Sequence, residues 1–499
     1  MHIRTSDLSG KRIVSTFSSD CNYKVFDQEE WWSDAWNPLD YAREYQLNKT
    51  FTEQFSALLE EVPHPALYTS NVENSYYTNF TLNLKNCYLL FGGGDSEECL
   101  YGRFIVSSRD VVDSLNLYSC ELCYEGVASE NCYSCLYFTN CRQCRDCYFV
   151  EDCESCENCI FCYGLYRKKY AIFNQEVGKE AYESFVSNLF PLTNGKISEL
   201  LEKFSDFKSK LPRRSAHLYS SESCSGDMIH NSKNCHYSFD VRNSEDCFGI
   251  SFMPNTYYSL DCTYAAPHGL DHCYEACSSS GSSNSAFIFL CWNCDAAFYS
   301  IECHQCQDIF GCVGLRNKRF CIFNKQYSES EYRQLTREIS RSMRRSGEWG
   351  EFFSPSISYF GYNDTVAHEY FPMTRKEVHQ LGWNWNFSID DYQPNLKAAQ
   401  ISASSAEGEN GNTERILHCA ESGRAYKLMP LELSFYEKMS IPVPQYCPEV
   451  RHTKRLLRRN PLRLWKRRCD ISGEEILSTF APGRSEIVIS EREFLNANR

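Results

Sequence analysis

The chain has 499 residues, of which 42% are hydrophobic and 15% aromatic, and its formal net charge is −14. This composition excludes a wholly disordered chain, and the acidic excess argues against a protein whose whole surface binds nucleic acid or anionic lipid. No run of 18 apolar residues is present, and the first residues have no apolar core of a secretory signal. We therefore expect no membrane contact and a cytoplasmic location.

We predict that residues 1–69 form an N-terminal ribbon-like module. The segments SGKRIVSTF (9–17) and KVF (24–26) have the composition of short strands. The segment FTEQFSALLEEV (51–62) has the spacing of an amphipathic helix, and Pro63 ends it.

The most regular feature of the sequence is a cysteine repeat. Cysteines recur at one fixed interval at Cys99, Cys120, Cys141 and Cys162, and a second track follows at Cys132 and Cys153. The pattern that ends at Cys162 returns later in the chain, from Cys273 to Cys312. A fixed period near 20 is typical of one unit stacked on itself. We predict two tandem parallel β-helix (solenoid) arrays with rungs of about 21 residues, each capped by helices, within domains 70–213 and 214–396.

Each array ends on a shared motif, GLYRKKYAIFN (164–174) and GLRNKRFCIFN (314–324). The ends of a solenoid must be covered, because an open end exposes unpaired backbone and apolar side chains. We therefore predict that each motif and the helix after it form a cap. Ser328 with Glu331, and Thr374 with Glu377, have the spacing of helix capping boxes.

Many array cysteines follow directly on Asn or Asp, which tolerate left-handed backbone and favour turns. These positions are Asn86, Asn131, Asn140, Asp146, Asp152, Asn158, Asn234, Asp246, Asp261 and Asn293. They predict corners of a coil. Both sulfurs of a C-x-x-C pair point inward only if the backbone bends between them. The C-x-x-C pairs therefore also indicate corners.

Three interpretations of the 29 cysteines compete: reduced thiols stacked in the core, structural zinc held by paired C-x-x-C motifs, and disulfides between rungs. A reducing compartment disfavours disulfides. In the second array Leu270 and Ser282 stand in the place of Cys120 and Cys132 of the first, 150 residues earlier. Loss of one ligand abolishes a zinc site, whereas a stacked core tolerates a small residue, so the thiol core is favoured.

We predict a flexible linker at residues 397–413, because they are rich in Ala, Ser, Gly, Asn and Glu. Residues 414–499 are predicted to form a separate C-terminal module. SGEEILSTFAPGRSEIVISEREF (472–494) matches SGKRIVSTFSSDCNYKVFDQEEW (9–31) in length and in several residues. The two ends of the chain are therefore predicted to carry copies of one small β-rich unit.

Four segments carry a resemblance to a known family: WWSDAWNPLDY (31–41), GCVGLRNKRFCIFNKQYSESEY (311–332), FGYNDTVAHEYFPMT (360–374) and RRNPLRLWKRRCD (458–470). They resemble uncharacterised, cysteine-rich bacterial proteins with zinc-ribbon-like terminal modules and long cysteine repeats. The resemblance covers nearly the whole chain and implies an α+β module with C-x-x-C pairs suited to zinc. It implies no activity.

In this chain the implied zinc pairs are degenerate. The second positions hold Ser422, Val450 and Ser472, and the last pair falls at Ser490 and Glu493. The N-terminal copy has Ser6 and Ser9 in the place of its first pair. Zinc held by the remaining cysteines is one hypothesis, and a metal-free module is the other; the candidate ligands are Cys419, Cys447 and Cys469.

A basic segment, residues 451–469, contains nine cations and no acid. Basic faces of this kind bind phosphate backbones. The alternative is a helix that docks on the acidic remainder of the chain, or a solvated face. The candidate nucleic-acid-binding residues are Arg451, Lys454, Arg455, Arg458, Arg459, Arg463, Lys466, Arg467 and Arg468.

The sequence has no P-loop, G-x-S-x-G, H-E-x-x-H or dinucleotide motif. Parallel β-helices can carry carboxylate-based glycan-cleaving sites, and two clusters are candidates, His268, Asp271 and His272, and Asp364, His368 and Glu369. A surface ion pair is the alternative for each. We expect a structural or interaction scaffold with an unknown protein partner. A nucleic-acid-binding protein and a glycan-active enzyme are the alternatives.

Overall fold

A computed structural model describes residues 1–265, 267–387, 406–407 and 413–498. The chain is mainly β, with 36% strand and 23% helix. The predicted linker at 397–413 lies outside the described residues, apart from Ala406–Glu407 and Thr413. No helix in the described ranges combines the length and the apolar character that crossing a bilayer requires.

A parallel β-solenoid lies within residues 69–322. Strands on adjacent turns pair in register, as Leu115 does with Val127. One turn spans 12 residues, which is the separation of Arg142 from Glu130, its hydrogen-bond partner on the preceding turn. Every third residue has a positive φ, for example Ser134 (54°), so each turn has four sides of three residues. The residue after each corner points inward, so Cys, Val, Ile and Leu fill the core.

The predicted length of the rung is wrong, because the turn is shorter than the period of the cysteines. With three residues per side, any spacing that is a multiple of three keeps a side chain inward. The step from Cys99 to Cys120 is one turn plus three sides, so these two cysteines lie on different inner faces. Residues exactly one turn apart stack, as in the ladder that contains Cys120, Cys132, Cys144 and Cys156.

The predicted corners are confirmed. All ten Asn and Asp residues that precede array cysteines have a positive φ between 51° and 55°. The bend inside a C-x-x-C pair is also present, since Leu122, between Cys120 and Cys123, has a φ of 55°. Both sulfurs of that pair are buried.

The first segment of the solenoid (69–172) is a ladder of parallel strands closed by an antiparallel strand. Its strands are Thr69–Glu73, Asn79–Lys85, Tyr88–Glu97, Leu100–Val106, Arg109–Val112, Leu115–Tyr118, Glu121–Glu130, Leu136–Thr139, Tyr148–Glu151, Glu157–Tyr163 and Lys169–Ile172, with Gln175–Glu176 antiparallel.

The second segment (218–322) is also a stack of parallel strands that ends on an antiparallel strand, but its strands divide into three groups. Its strands are Leu218–Tyr219, Gly226–His230, Lys233–His236, Ser238–Arg242, Glu245–Phe248, Ser251–Pro254, Leu270–Asp271, Tyr274–Cys277, Ser282–Ser283, Ala286–Phe289, Asp295–Ile301, Gln307–Phe310 and Arg319–Ile322, with Lys325–Gln326 antiparallel.

The α-helices of the described residues, α1 to α10, are Gln28–Trp32, Phe51–Glu61, Lys179–Ser187, Asn194–Ser209, Glu329–Ser346, Val366–Tyr370, Arg375–Gln380, Pro430–Lys438, Pro448–Leu456 and Glu491–Asn498. Short 3-10 helices are Pro38–Tyr41, Pro355–Ile357 and Tyr362–Asp364. The helix predicted at 51–62 and both predicted capping boxes are confirmed.

The remaining strands pair outside the solenoid. Antiparallel hairpins join His2–Thr5 to Arg12–Ser15, Thr413–His418 to Ala425–Leu428, and Trp465–Arg468 to Glu475–Ser478; Ala406–Glu407 also pairs with the second of these. Val25–Phe26 pairs with His64–Pro65, and Arg213–Arg214 with Val488–Ile489, both in parallel.

The two segments lie side by side and run in opposite directions. Tyr68 contacts Trp292 (ring centroids 5.3 Å apart), and Phe104 stacks on Phe252 (5.5 Å). Further along, Asp152 contacts His217. Partners in the second segment thus have falling residue numbers as numbers in the first segment rise.

The two terminal modules cover the closing ends of opposite segments. Arg316 donates to the carbonyl oxygens of Trp31 (2.8 Å) and Ser33 (3.0 Å), which holds the N-terminal residues on the second segment. Tyr163 packs against Phe494 of α10, which places the C-terminal residues on the first segment. The stacked apolar core is thereby shielded from water at these ends.

The thiols of the core donate hydrogen bonds to backbone carbonyls. Cys132 Sγ contacts the carbonyl oxygen of Glu130 (3.4 Å) and that of Cys141, nine residues on (3.7 Å). In the second segment Ser282 Oγ donates to the carbonyl nine residues on, that of Cys291 (3.1 Å). Serine thus takes the place of cysteine with the same bond.

Candidate functional site

The largest concentration of buried charge lies between the two segments. We call it the charged seam, which comprises the acids Asp113, Glu125, Glu130, Asp152, Asp227 and Asp240 and the cations that contact them.

Helix α9 carries two arginines into the charged seam. Arg455 is 1% exposed and donates to Asp113 Oδ1 (2.9 Å) and Glu125 Oε1 (3.0 Å). Arg451 is also buried and contacts the other oxygen of Asp113. Asp113 is a corner residue with no solvent exposure, so both guanidinium groups are needed to offset the cost of burying its charge.

The residues after α9 extend this contact to the second segment. Arg458 Nη1 donates to Glu125 Oε2 (3.1 Å), and its Nη2 donates to the carbonyl oxygen of Phe138 (2.9 Å). Arg459 pairs with Asp240, which belongs to the second segment. The arginines of one short stretch therefore bind both segments.

A histidine between two carboxylates forms another part of the seam. His217 Nε2 lies 2.6 Å from Asp152 Oδ1, and its Nδ1 lies 2.7 Å from Asp227 Oδ1. Burial lowers the pKa of His217, but Asp227 and Asp152 outweigh burial and raise that pKa to about 10. The imidazolium is charged at neutral pH and links the segments.

Glu130 is the centre of a third cluster. Arg142 Nε lies 2.6 Å from its Oε1, and Arg242 Nη1 of the second segment lies 2.6 Å from its Oε2. Burial raises the pKa of Glu130, but Arg242 is the largest opposing influence, and the net shift is downward. Burial and Arg242 together lower the pKa of the neighbouring His230 to about 3, so that ring is neutral.

The basic segment predicted to bind nucleic acid is used largely within the chain. Arg451, Arg455, Arg458 and Arg459 form ion pairs in the charged seam, so they do not form an exposed phosphate-binding face. These contacts correspond to the alternative interpretation of the basic segment, in which its helix docks on acidic residues elsewhere in the chain.

The other five cations of that segment lie outside the seam. Lys454 pairs with Glu421 (2.9 Å), Lys466 with Glu475 (3.4 Å) and Arg467 with Asp470 (3.3 Å), while Arg463 lies over the Trp465 ring (5.2 Å) and Arg468 donates to the Gly473 carbonyl (3.2 Å). Phosphate binding by these residues stays a prediction.

The three candidate zinc ligands do not come together. Cys419 and Cys447 share one hydrophobic cluster, and Cys469 lies in another, with Tyr163 and Ile489. Among the described residues no three His, Cys, Asp or Glu side chains are placed to hold a metal ion. A site for structural zinc needs four ligands, so the donors present do not fit it.

The buried sulfur of Cys469 accepts hydrogen bonds from the backbone. The backbone N–H groups of Ser472 (3.4 Å) and Ser490 (3.3 Å) donate to its sulfur. Burial raises the pKa of this thiol, but hydrogen bonds with the Ser472 side chain and with the backbone of Ser472, Ser490 and Ile471 outweigh burial and lower the pKa to about 7. In the N-terminal module Ser6 Oγ donates to the Glu30 carboxylate.

The candidate catalytic residues remain in two separate places. His272 and Asp271 form an exposed pair (2.7 Å), and His268 precedes them in the same loop of the chain. Asp364 accepts from Asn386 Nδ2 (2.7 Å), and the His368 ring packs against Trp385 (5.7 Å). Glu369 pairs with Arg103 and lies 3.4 Å from His452 Nε2, so its carboxylate is engaged in ion pairs.

Two small cavities lie between the segments, beside Asp240. Each has a volume of about 10 Å³, which is room for one water molecule. Neither accommodates a sugar ring.

Sequence reasoning missed the acidic half of the charged seam. Asp113, Asp152 and Asp240 are corner residues, and in the sequence they resemble the many other Asn and Asp corners. Only the packing of one segment on the other distinguishes them.

Comparison of the chain with protein-family models and with curated proteins finds no match.

Proposed function

We propose that this protein is a structural or interaction scaffold that presents rigid β faces to a protein partner. The observation that carries the proposal is the charged seam. Its buried ion pairs hold the two segments against each other. The charged groups of these pairs bind one another and are therefore not available to bind a ligand.

We further propose that the two segments, with their helical caps, arose by duplication. Two equivalent residues support this. Asn174 exchanges two hydrogen bonds with the backbone of Tyr163, and Asn324 exchanges the same two with Val313. A terminal module of similar sequence covers each of these ends, so the scaffold is a pseudo-symmetric pair of capped coils.

The terminal modules are, in this proposal, zinc-ribbon-like units that fold without metal. The contacts of Ser6 with Glu30, and of Cys469 with Ser472 and Ser490, support this, because they satisfy positions that would otherwise need a metal. The modules thus serve as end caps, in keeping with the scaffold.

The test is purification of the full-length tagged chain from its source cells under gentle conditions, with an activity screen on a polysaccharide panel. A stoichiometric protein complex and no hydrolysis are expected. Hydrolysis that is lost in His268→Ala or His368→Ala would overturn the scaffold proposal in favour of the enzyme.

A further inference from the structure

One outer column of the solenoid is covered in the first segment and open in the second. Counted back from the closing ends, the fifth to seventh positions are Tyr124, Val112 and Leu100 in the first segment. In the second segment they are Tyr274, Leu260 and Phe248, which we call the open column.

Burial separates the two columns sharply. Tyr124, Val112 and Leu100 are at most 4% exposed. The open column is 36% to 47% exposed, and the neighbouring Tyr237, Tyr257 and Tyr258 are 40% to 53% exposed. Together these six side chains expose on the order of 500 Å², since an aromatic side chain offers about 150–250 Å². The largest apolar patch of a monomer is commonly of this size and is often functional.

Helix α8 covers the equivalent column of the first segment, Tyr124, Val112 and Leu100. Phe435 and Tyr436 of α8 contact Tyr124, with ring centroids 6.2 and 5.9 Å apart. The helix has nine residues, and Met439 follows it into the same cluster. The fold thus already uses a short aromatic helix to cover these rungs once.

The remaining positions of this column in the second segment are covered by helices as well. The four positions nearer the closing end, Ala286, Phe298, Phe310 and Ile322, belong to the cluster that α5 and α2 cover. The open column therefore continues a helix-covered surface, and its three rungs leave room for a helix of about ten residues.

The charges beside the open column indicate the sign of its occupant. Asp261 and Glu275 are corner residues next to Leu260 and Tyr274. The charges of Glu275, Asp261 and Glu351 act on Tyr274, and within the described part of the chain none of these carboxylates has a basic partner. An approaching helix with Lys or Arg along one edge would pair with them.

We propose that the open column binds a short amphipathic helix of another protein, with an aromatic face and a basic edge. The proposal rests on the scaffold function and names its partner class.

The test uses a fluorescent peptide with the sequence of residues 428–443 in which E432Q removes the acid from the aromatic face, and S434K and E437K, with the native Lys438, supply the basic edge. We expect binding to the full-length protein in the micromolar range, weakened at least tenfold by Leu260→Asp and also by high salt. Phe248→Ser is a second, milder variant. Tyr76→Asp, at an exposed tyrosine of the first segment, is the matched control and should bind normally.

Equal binding by wild type and Leu260→Asp, or no binding at all, would overturn the proposal. Self-association of the wild type that Leu260→Asp abolishes would overturn it too, since a second copy would then occupy the column. A stoichiometric complex retained by Leu260→Asp would refute this surface and leave the scaffold intact, whereas glycan hydrolysis without any complex would refute the scaffold itself.

Discussion

Single residues hold the two segments together through buried charge, and His217 is the clearest case. Its imidazolium lies between Asp152 and Asp227, with hydrogen bonds to both. Removal of the cation would leave two buried carboxylates without a counter-charge, and breaking a buried pair in this way costs about 3–5 kcal/mol.

We expect His217→Asn to lower the free energy of unfolding by about 3–5 kcal/mol near pH 6. The pKa of His217 is raised from 6.5 to about 10 on folding, so its contribution is complete below pH 6.5 and is lost as pH rises toward 10. The difference between wild type and variant should therefore shrink across that window. Urea unfolding at pH 6, 8 and 10 measures it.

His272→Asn is the matched control, because that histidine pairs with Asp271 on the surface. Its effect should stay below about 1 kcal/mol at each pH. A His217→Asn effect that is constant from pH 6 to 10 would contradict the assignment of a charged imidazole.

Core thiols are replaceable by a small hydrogen-bonding residue. We expect Cys132→Ser to cost about 1 kcal/mol or less, because the hydroxyl can donate to the carbonyl nine residues on, as Ser282 does. Cys132→Leu should cost more, about 1–3 kcal/mol, because the core has no space for the added carbons. Urea midpoints decide the order, and equal costs would contradict the packing argument.

At the scale of elements, α9 and the residues after it act as a clamp between the segments. Arg455 reaches Asp113 and Glu125 of the first segment, and Arg459 reaches Asp240 of the second. These contacts join residues far apart in sequence, since 342 residues separate Arg455 from Asp113.

We expect Arg455→Ala to destabilise the protein by about 3–5 kcal/mol, because Asp113 and Glu125 each lose one of the two arginines that offset the burial of their charge. Lys466→Ala removes a cation from an exposed pair and should change stability by less than about 1 kcal/mol. Thermal unfolding of both variants tests the clamp. Similar small effects of the two changes would show that the pairs contribute little.

At the scale of the whole molecule, the distribution of charge determines whether the protein binds polyanions. The chain is acidic overall, and four of the nine cations of the basic segment 451–469 form ion pairs within the charged seam. We expect the intact protein to pass a heparin column at about 50 mM salt, because its net charge is negative and the four arginines of the charged seam cannot reach a polyanion to release its counterions. Retention that Lys466→Ala and Arg468→Ala abolish would instead support the nucleic-acid alternative.

Much of the solenoid could be predicted from local chemistry. Asn and Asp before inward cysteines predicted the corners, and capping boxes and periodicity predicted helices such as Phe51–Glu61. The length of the turn could not be predicted from the period of the cysteines. Every multiple of three residues returns a side chain to some inner face, and only strand register shows which residues stack.

The sequence by itself determined which residues face the core and where the chain bends, because these depend on neighbours a few positions away. The tertiary structure alone decided what the charges do. The basic segment has the composition of a phosphate-binding face, yet Arg451 and Arg455 are buried on Asp113. The free energy of a buried ion pair depends on a partner and a dielectric that only the packed segments provide.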